Sequence, residues 1–177
     1  NRTRFNISFQ IRGALSPTGE QQPSMEMRPV TAGYFKAMGI PIVRGRAFQA
    51  SDAMSSPQVV IISEAAARKY FAGEDPIGRV ITMGYGREKG KPQPGGEIVG
   101  VAADVKDRGL AYDAPPQVYL PFAQMPISSM DVLLRTQVDP MTLAKSVEAV
   151  VHELDRELPL GRVRTLDALM AASVSQP

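Results

Sequence analysis

The sequence contains no cysteine. Disulfides, thiolate zinc sites and cysteine nucleophiles are therefore excluded together, while the compartment stays open, since a thiol-free chain is equally safe in reducing and oxidising surroundings. Histidine occurs once, at His152, which excludes the usual multi-histidine metal site. Tryptophan is absent and aromatic residues make up only 6 %, so aliphatic side chains and the nine methionines must fill most of a core. No apolar run approaches the ~20 residues of a bilayer-spanning helix. The longest is Val59-Val60-Ile61-Ile62. No secretory signal pattern is present. The chain starts at Asn1 without methionine and stops at Pro177, just past a helical pattern. Both ends read as cut edges, with targeting and anchoring segments expected outside. Concentrated charge is missing too. The net charge is +2, and the basic residues are scattered, as at Arg2, Arg4, Arg12, Arg44, Arg46, Arg162 and Arg164. Nucleic-acid binders cluster theirs on one face, so no nucleic-acid partner is expected.

A length of 177 residues allows one large domain or two small ones. Proline and glycine, 15 of each, favour strands and turns over a helical bundle. Phe5, Ile7, Phe9 and Ile11 alternate with polar residues, which predicts a strand with one buried face. A polar loop over 13–23 and a weaker strand over 25–30 follow. Thr31 is placed to cap a short helix carrying Tyr34, Phe35 and Met38, which stops at Gly39 before Pro41. A short edge strand is expected at 42–43, and the β-branched run 59–62 predicts a central strand. Ser63 caps the next helix, with Tyr70 and Phe71 as its large apolar contacts and Gly73 as its stop. Further strands are expected at 79–83, at 97–105 with a bulge or tight packing at Gly100, at 118–120, at 131–136 and at 162–164. The clearest helix spans 140–157. Asp139 stands at its N-cap and Pro140 at its first position, with Leu143, Val147, Val150, Val151, Leu154 and Leu158 in one apolar stripe. Thr165 caps a last helix. The class is α+β, with mixed or antiparallel sheets.

No catalytic constellation is assembled by these elements. His152 lies opposite the apolar stripe, beside Lys145, Glu148 and Asp155, and reads as a solvated surface residue. The Gly84–Pro92 stretch has the composition of a phosphate loop without its pattern, because Lys91 precedes a proline where serine or threonine is required. It reads as a hairpin loop. The carboxylate pairs Glu74/Asp75 and Asp104/Asp107 are the one feature a hydrolase would use, and both sit where turns commonly place such residues. The methionines are too dispersed for a metal-binding tract and read mostly as core gap-fillers. Catalytic, cofactor-binding and metal-ligating residues are all expected to be none.

Ordered motifs run from about residue 25 to the end. They begin with Val30-Thr31-Ala32-Gly33-Tyr34-Phe35, Met38-Gly39-Ile40-Pro41 and Arg44-Gly45-Arg46-Ala47-Phe48. Next come Val59-Val60-Ile61-Ile62-Ser63-Glu64, Ala67-Arg68-Lys69-Tyr70-Phe71 and Gly73-Glu74-Asp75-Pro76-Ile77-Gly78. Glu97-Ile98-Val99-Gly100-Val101, Asp104-Val105, Gly109-Leu110 and Pro116-Gln117-Val118-Tyr119-Leu120-Pro121-Phe122-Ala123-Gln124 complete the series. Together they resemble the signatures of the MacB-like periplasmic core domain of FtsX/MacB-type ABC-transporter permeases, most of all an acidobacterial-type permease group. Ala32 replaces the usual proline and Ser63 a common asparagine. The stretch from Arg164 to Pro177 resembles the approach to a second membrane helix.

The resemblance implies an α+β fold. A porter-like part with ferredoxin-type βαβ units, about 1–52 plus 127–177, would carry a smaller β-rich, Sabre-like insertion at about 53–126. It implies a non-enzymatic periplasmic portion of a bacterial inner-membrane protein, which transmits cytoplasmic ATP-driven motion to substrate export or to a periplasmic partner. The implied partners are its own transmembrane helices, a second permease copy, a periplasmic adaptor or lipoprotein and, indirectly, a cytoplasmic ATPase. The alternative is a small-ligand or lipoprotein-binding module with its ligand in the cleft between the two parts, since crevices favour ligands.

Overall fold

The computed structural model describes residues 5–13, 23–84, 94–106, 113–128, 130–158, 161 and 163–174. The chain divides into two compact units, Asn1–Leu133 and Leu134–Pro177.

The first unit is built on seven strands: β1 (Phe5–Ile11), β2 (Ser24–Val30), β3 (Ile42–Gly45), β4 (Val59–Ser63), β5 (Val80–Met83), β6 (Gly95–Ala102) and β7 (Gln117–Pro121). Two short helices, α1 (Tyr34–Met38) and α2 (Glu64–Tyr70), interrupt them. The order is β3-β6-β4-β7-β2-β1-β5, and β5 also pairs with β6, so six strands close into a ring with β3 added to β6. The sheet is mixed. β2 runs parallel to β7 and β4 to β6, while the other pairings are antiparallel.

Closure depends on one strand meeting three others. β6 pairs β4 along its length, β5 at Gly95–Glu97 and β3 at Gly100–Ala102. The register with β4 jumps after Ile98, because Val60 faces Ile98 while Ile61 faces Gly100. That irregularity lies beside the glycine expected to mark it. It also lets Ile98 and Val101, odd partners in a strict alternation, point into the same core.

That core draws on all six ring strands. Ile7, Phe9, Met25, Val60, Ile62, Ile81, Met83, Val118 and Leu120 join Ile98 and Val101, and α2 adds Ala66 and Phe71. A second cluster lies on the other face, where α1 lays Phe35 against Phe48, Val59, Ile61 and Tyr119. The Phe35 and Tyr119 rings meet edge-on, with centroids 5.0 Å apart.

Several expectations need correction here. Phe5 is exposed although its alternation with Ile7 and Phe9 predicted burial. Thr31 does not cap α1; Gly33 occupies that position without a side-chain bond, while Gly39 ends the helix in the left-handed conformation as expected. The strand expected at 118–120 runs from Gln117 to Pro121 and is fully buried between β4 and β2. Among the methionines, Met25 and Met83 are buried core residues, but Met54, Met130 and Met141 are exposed. The stretch 131–136 forms no strand, because no neighbouring strand hydrogen-bonds to it among the described residues. Val163 and Arg164 are likewise irregular. β1, β2 and β3 hydrogen-bond into the same sheet as β4 to β7.

The second unit contains a 3₁₀ turn at Pro140–Leu143, α3 (Ala144–Leu154) and α4 (Leu166–Val174). Asp139 accepts the Met141 N–H at 2.9 Å and Thr165 accepts the Ala168 N–H at 3.1 Å, so both predicted caps are present. α3 ends at Leu154, short of the predicted 157.

Gly45 joins β3 to β6 at a point of very close approach. Its φ is +71°, and an added Cβ would run into the Val99 carbonyl oxygen. Gly45→Ala is expected to lower stability by at least about 2 kcal/mol, because it combines a left-handed backbone with a backbone clash. Chemical denaturation of this variant beside Gly33→Ala, where an added Cβ meets nothing within 4 Å, checks it. Equal midpoints for the two variants would contradict the assignment.

Candidate functional site

The ionisable side chains of the first unit's motifs hold loops to the ring. Arg46 forms a bidentate pair with Asp52, at 2.8 and 3.0 Å, and Asp52 also accepts the Gln49 N–H at 2.8 Å. Asp52 is buried, with 6 % of its surface exposed. The Arg46 guanidinium bond holds the Asp52 carboxyl below its ordinary range against the opposing cost of burial, and the same bond raises Arg46. The Arg-Gly-Arg-x-Phe motif therefore combines three tasks: Gly45 allows the approach to β6, Arg46 clips the loop that follows, and Phe48 enters the second core cluster.

Gln124, the last residue of the Pro-Gln-Val-Tyr-Leu-Pro series, acts as a staple. Its Oε1 accepts the Val59 N–H at 3.1 Å, where β4 begins. Its Nε2 donates to the carbonyls of Ala53 and Pro57 and to Ser56 Oγ, at 3.2, 2.9 and 3.0 Å. One side chain thus fixes the 53–57 loop to the sheet.

Ser63 and Asp104 organise the start of α2. Ser63 Oγ accepts the N–H of Ala66 at 3.2 Å, as predicted, and that of Gln117 at 3.0 Å. Asp104 accepts the Ala65 N–H at 2.7 Å and pairs with Arg68, whose guanidinium this bond raises. A carboxylate accepting at a helix start is favoured by the helix dipole. Asp104 is therefore occupied by structure, and its predicted companion Asp107 lies outside the described residues. The other carboxylate pair is solvated. Asp75 bonds Arg44 at 2.7 Å and turns back on the Ile77 N–H at 3.0 Å, while Glu74 meets Arg79 at 3.2 Å. Exposed ion pairs of this kind contribute little stability. The Gly84–Pro92 loop also falls almost wholly outside the described residues.

At the far end of α2, Tyr70 donates to the Ser24 carbonyl at 2.6 Å and packs edge-on against Phe9, with centroids 5.0 Å apart. Among the described residues one buried side-chain polar atom has no partner. Gln117 Nε2 is buried and unbonded, while its Oε1 accepts from Tyr119 at 2.6 Å.

The second unit differs in kind. None of its described side chains is buried. The predicted apolar stripe leaves Val150 and Leu154 57 % and 81 % exposed. His152 is half-buried rather than fully solvated. Among the described residues no group of three or more histidines, cysteines and carboxylates could hold a metal ion, and no helix is long and apolar enough to cross a membrane. The candidate functional surface is consequently the exposed apolar face of this unit, whose residues sequence periodicity located.

A closed mixed sheet with two short helices, accompanied by a helical unit with an exposed apolar stripe, defines the class as α+β. The family description "MacB-like periplasmic core domain" matches residues 4–150, and the chain belongs to that family. It is 30 % identical over 134 residues to the macrolide export ATP-binding/permease protein MacB of Agrobacterium fabrum, a match covering 71 % of this chain and 19 % of that relative. The chain thus spans about a fifth of that protein's length. The crystal structure of the periplasmic region of MacB from Actinobacillus actinomycetemcomitans superposes with a TM-score of 0.64 at 17 % identity, covering 99 % of this chain and 74 % of that one.

Asp52→Asn is expected to cost about 1.5–3 kcal/mol at neutral pH, the range for hydrogen bonds to charged groups. A carboxyl lowered on folding contributes fully above its unfolded value of about 3.9, and that contribution fades as pH falls through the lower folded value. The stability gap between wild type and variant should therefore stay constant above about pH 5 and close in stronger acid. Urea melts at stepped pH measure it, and a gap unchanged in acid would refute the pairing. Gln124→Ala is expected to cost about 1–3 kcal/mol by orphaning the Val59 N–H. Faster exchange of that amide alongside the lower midpoint would identify the staple as the cause.

Proposed function

We propose that this chain is the periplasmic part of a bacterial ABC-transporter permease and transmits ATP-driven motion from the cytoplasm to substrate export or to a periplasmic partner. The observation that carries this reading is the closed ring of six strands, in which arginines, carboxylates and Gln124 secure loops to the sheet. Interiors packed to high density transmit displacement instead of absorbing it. Its partners on this reading are the flanking transmembrane helices of an inner-membrane protein, a second permease copy, a periplasmic adaptor or lipoprotein, and the cytoplasmic ATPase at a distance. The matched relative is named a macrolide exporter. Outward passage of a bulky apolar substrate is accordingly the first activity to assay.

In the intact transporter, neutralising Glu74, Asp75 and His152 together should leave ATP-dependent efflux within about twofold of wild type, since surface substitutions change stability by only about 0.5 kcal/mol. Asp52→Asn combined with Gln124→Ala should reduce efflux while ATP hydrolysis continues. Loss of efflux in the triple surface variant, with the periplasmic fold intact, would contradict a purely mechanical role.

A further inference from the structure

The carboxamide of Gln117 is only half engaged. Its Oε1 accepts from the Tyr119 hydroxyl at 2.6 Å, whereas its Nε2 makes no hydrogen bond. Only 1 % of this residue is exposed, so bulk water does not serve the free end. Buried polar atoms are nearly always bonded, and a buried N–H without an acceptor carries the full cost of having left water.

Sheet register sets what lies beside this carboxamide. Gln117 is the partner of Glu26 in the parallel β2–β7 pairing. On its other side Ile61 faces Tyr119 and Ile62 faces Val118, and the same register carried one step further brings Ser63 opposite Gln117. Alternation assigns the three to one face of the sheet. Met25, Ile62 and Val118 belong to the core inside the ring, whereas Val30, Ile61 and Tyr119 belong to the cluster under α1. Ser63, Gln117 and Glu26 therefore form a polar row across three strands on the α1 side, and all three are buried.

The row contains one acceptor with capacity to spare. Ser63 Oγ already takes the N–H groups of Ala66 and Gln117, which engages both lone pairs of a hydroxyl. Glu26 bonds Arg28 at 3.5 Å, and a carboxylate offers about four acceptor sites in all. Gln117 Nε2 nevertheless makes no bond to it, although the two residues are neighbours in register. A donor and an acceptor that are adjacent yet beyond bonding distance are the usual place for a bridging water. Burial restricts the occupant to a molecule of that size. The carboxylate disfavours an anion, and the N–H donor disfavours a cation.

We propose that one ordered water molecule bridges Gln117 Nε2 to the Glu26 carboxylate and ties β7 to β2 on the α1 side of the sheet. It accepts an N–H from Gln117 and donates to Glu26, which supplies the two polar partners that a buried water requires. The bridged row also fixes register, because a slip of β2 by one residue would turn Glu26 into the apolar interior of the ring. This inference is independent of what the transporter moves.

Nuclear magnetic resonance on the 177-residue chain labelled with nitrogen-15 and carbon-13 tests it. The Gln117 side-chain protons should show cross-peaks to water whose laboratory-frame and rotating-frame Overhauser effects have opposite signs, as for a water held in place. Oxygen-17 relaxation dispersion should count one fewer long-lived internal water in Gln117→Met than in wild type. If Gln117→Met does not fold, the wild-type spectra decide alone. Absence of the cross-peaks overturns the proposal, and so do cross-peaks of equal sign, which report exchange with bulk solvent. A hydrogen-bond coupling from the Gln117 side-chain nitrogen to the Glu26 carboxyl carbon would show direct contact and overturns it as well. An unchanged water count in a folded Gln117→Met variant has the same force.

Discussion

Closure of the ring through β6 is the constraint from which the rest of the first unit follows. A strand has two edges, and β6 must serve three neighbours, so one edge is shared lengthwise between β5 and β3. Sharing forces two chains to arrive at the same edge from opposite ends. It requires backbone without side chains at Gly95, Gly96 and Gly100 on β6 and at Gly45 on β3, where an added Cβ would meet main-chain atoms in every case. The glycines of the motifs are thus the geometric condition for a sheet that both closes and carries an additional strand.

The polar motif residues follow from the same constraint. Closing a small ring leaves long connections that must return across its surface, and backbone groups in those connections need partners. Arg46, Asp52 and Gln124 provide them at the 46–57 crossing, and Ser63 and Asp104 provide them where β4 turns into α2. Residues of the kind that suggest chemistry in a one-dimensional reading are here bonded to main chain or to each other. Membership of the MacB-like periplasmic core domain family gives those side chains a common context, in which they maintain shape.

Much of the fold was legible in the sequence. Alternation identified β1, the β-branched run identified β4, and Ser63, Asp139 and Thr165 announced three helix starts correctly. These signals are local, and local hydrogen bonds decide them. The misreadings concern partners. Phe5 alternates properly and still faces water, and 131–136 has strand composition without a strand. Each outcome depends on what stands next to the segment in space, which periodicity does not encode. For the candidate surface, the stripe on α3 was read correctly as a stripe, and its exposure was not legible. No pattern within the sequence pointed to Arg46 with Asp52 as a pair or to Gln124 as a staple, because their meaning lies in contacts to loops six and about seventy residues away.

The placement of β3 has a further consequence. Ring strands have no free margin, so the outer side of β3 is the one place in this sheet where a stranger's backbone could be zipped on. It offers four residues, one of which, Arg44, pairs with Asp75. A docking strand could gain only a few hydrogen bonds along so short an edge. Crowded side by side at high local density, neighbouring molecules are thereby discouraged from merging into extended intermolecular sheets and stay separate bodies.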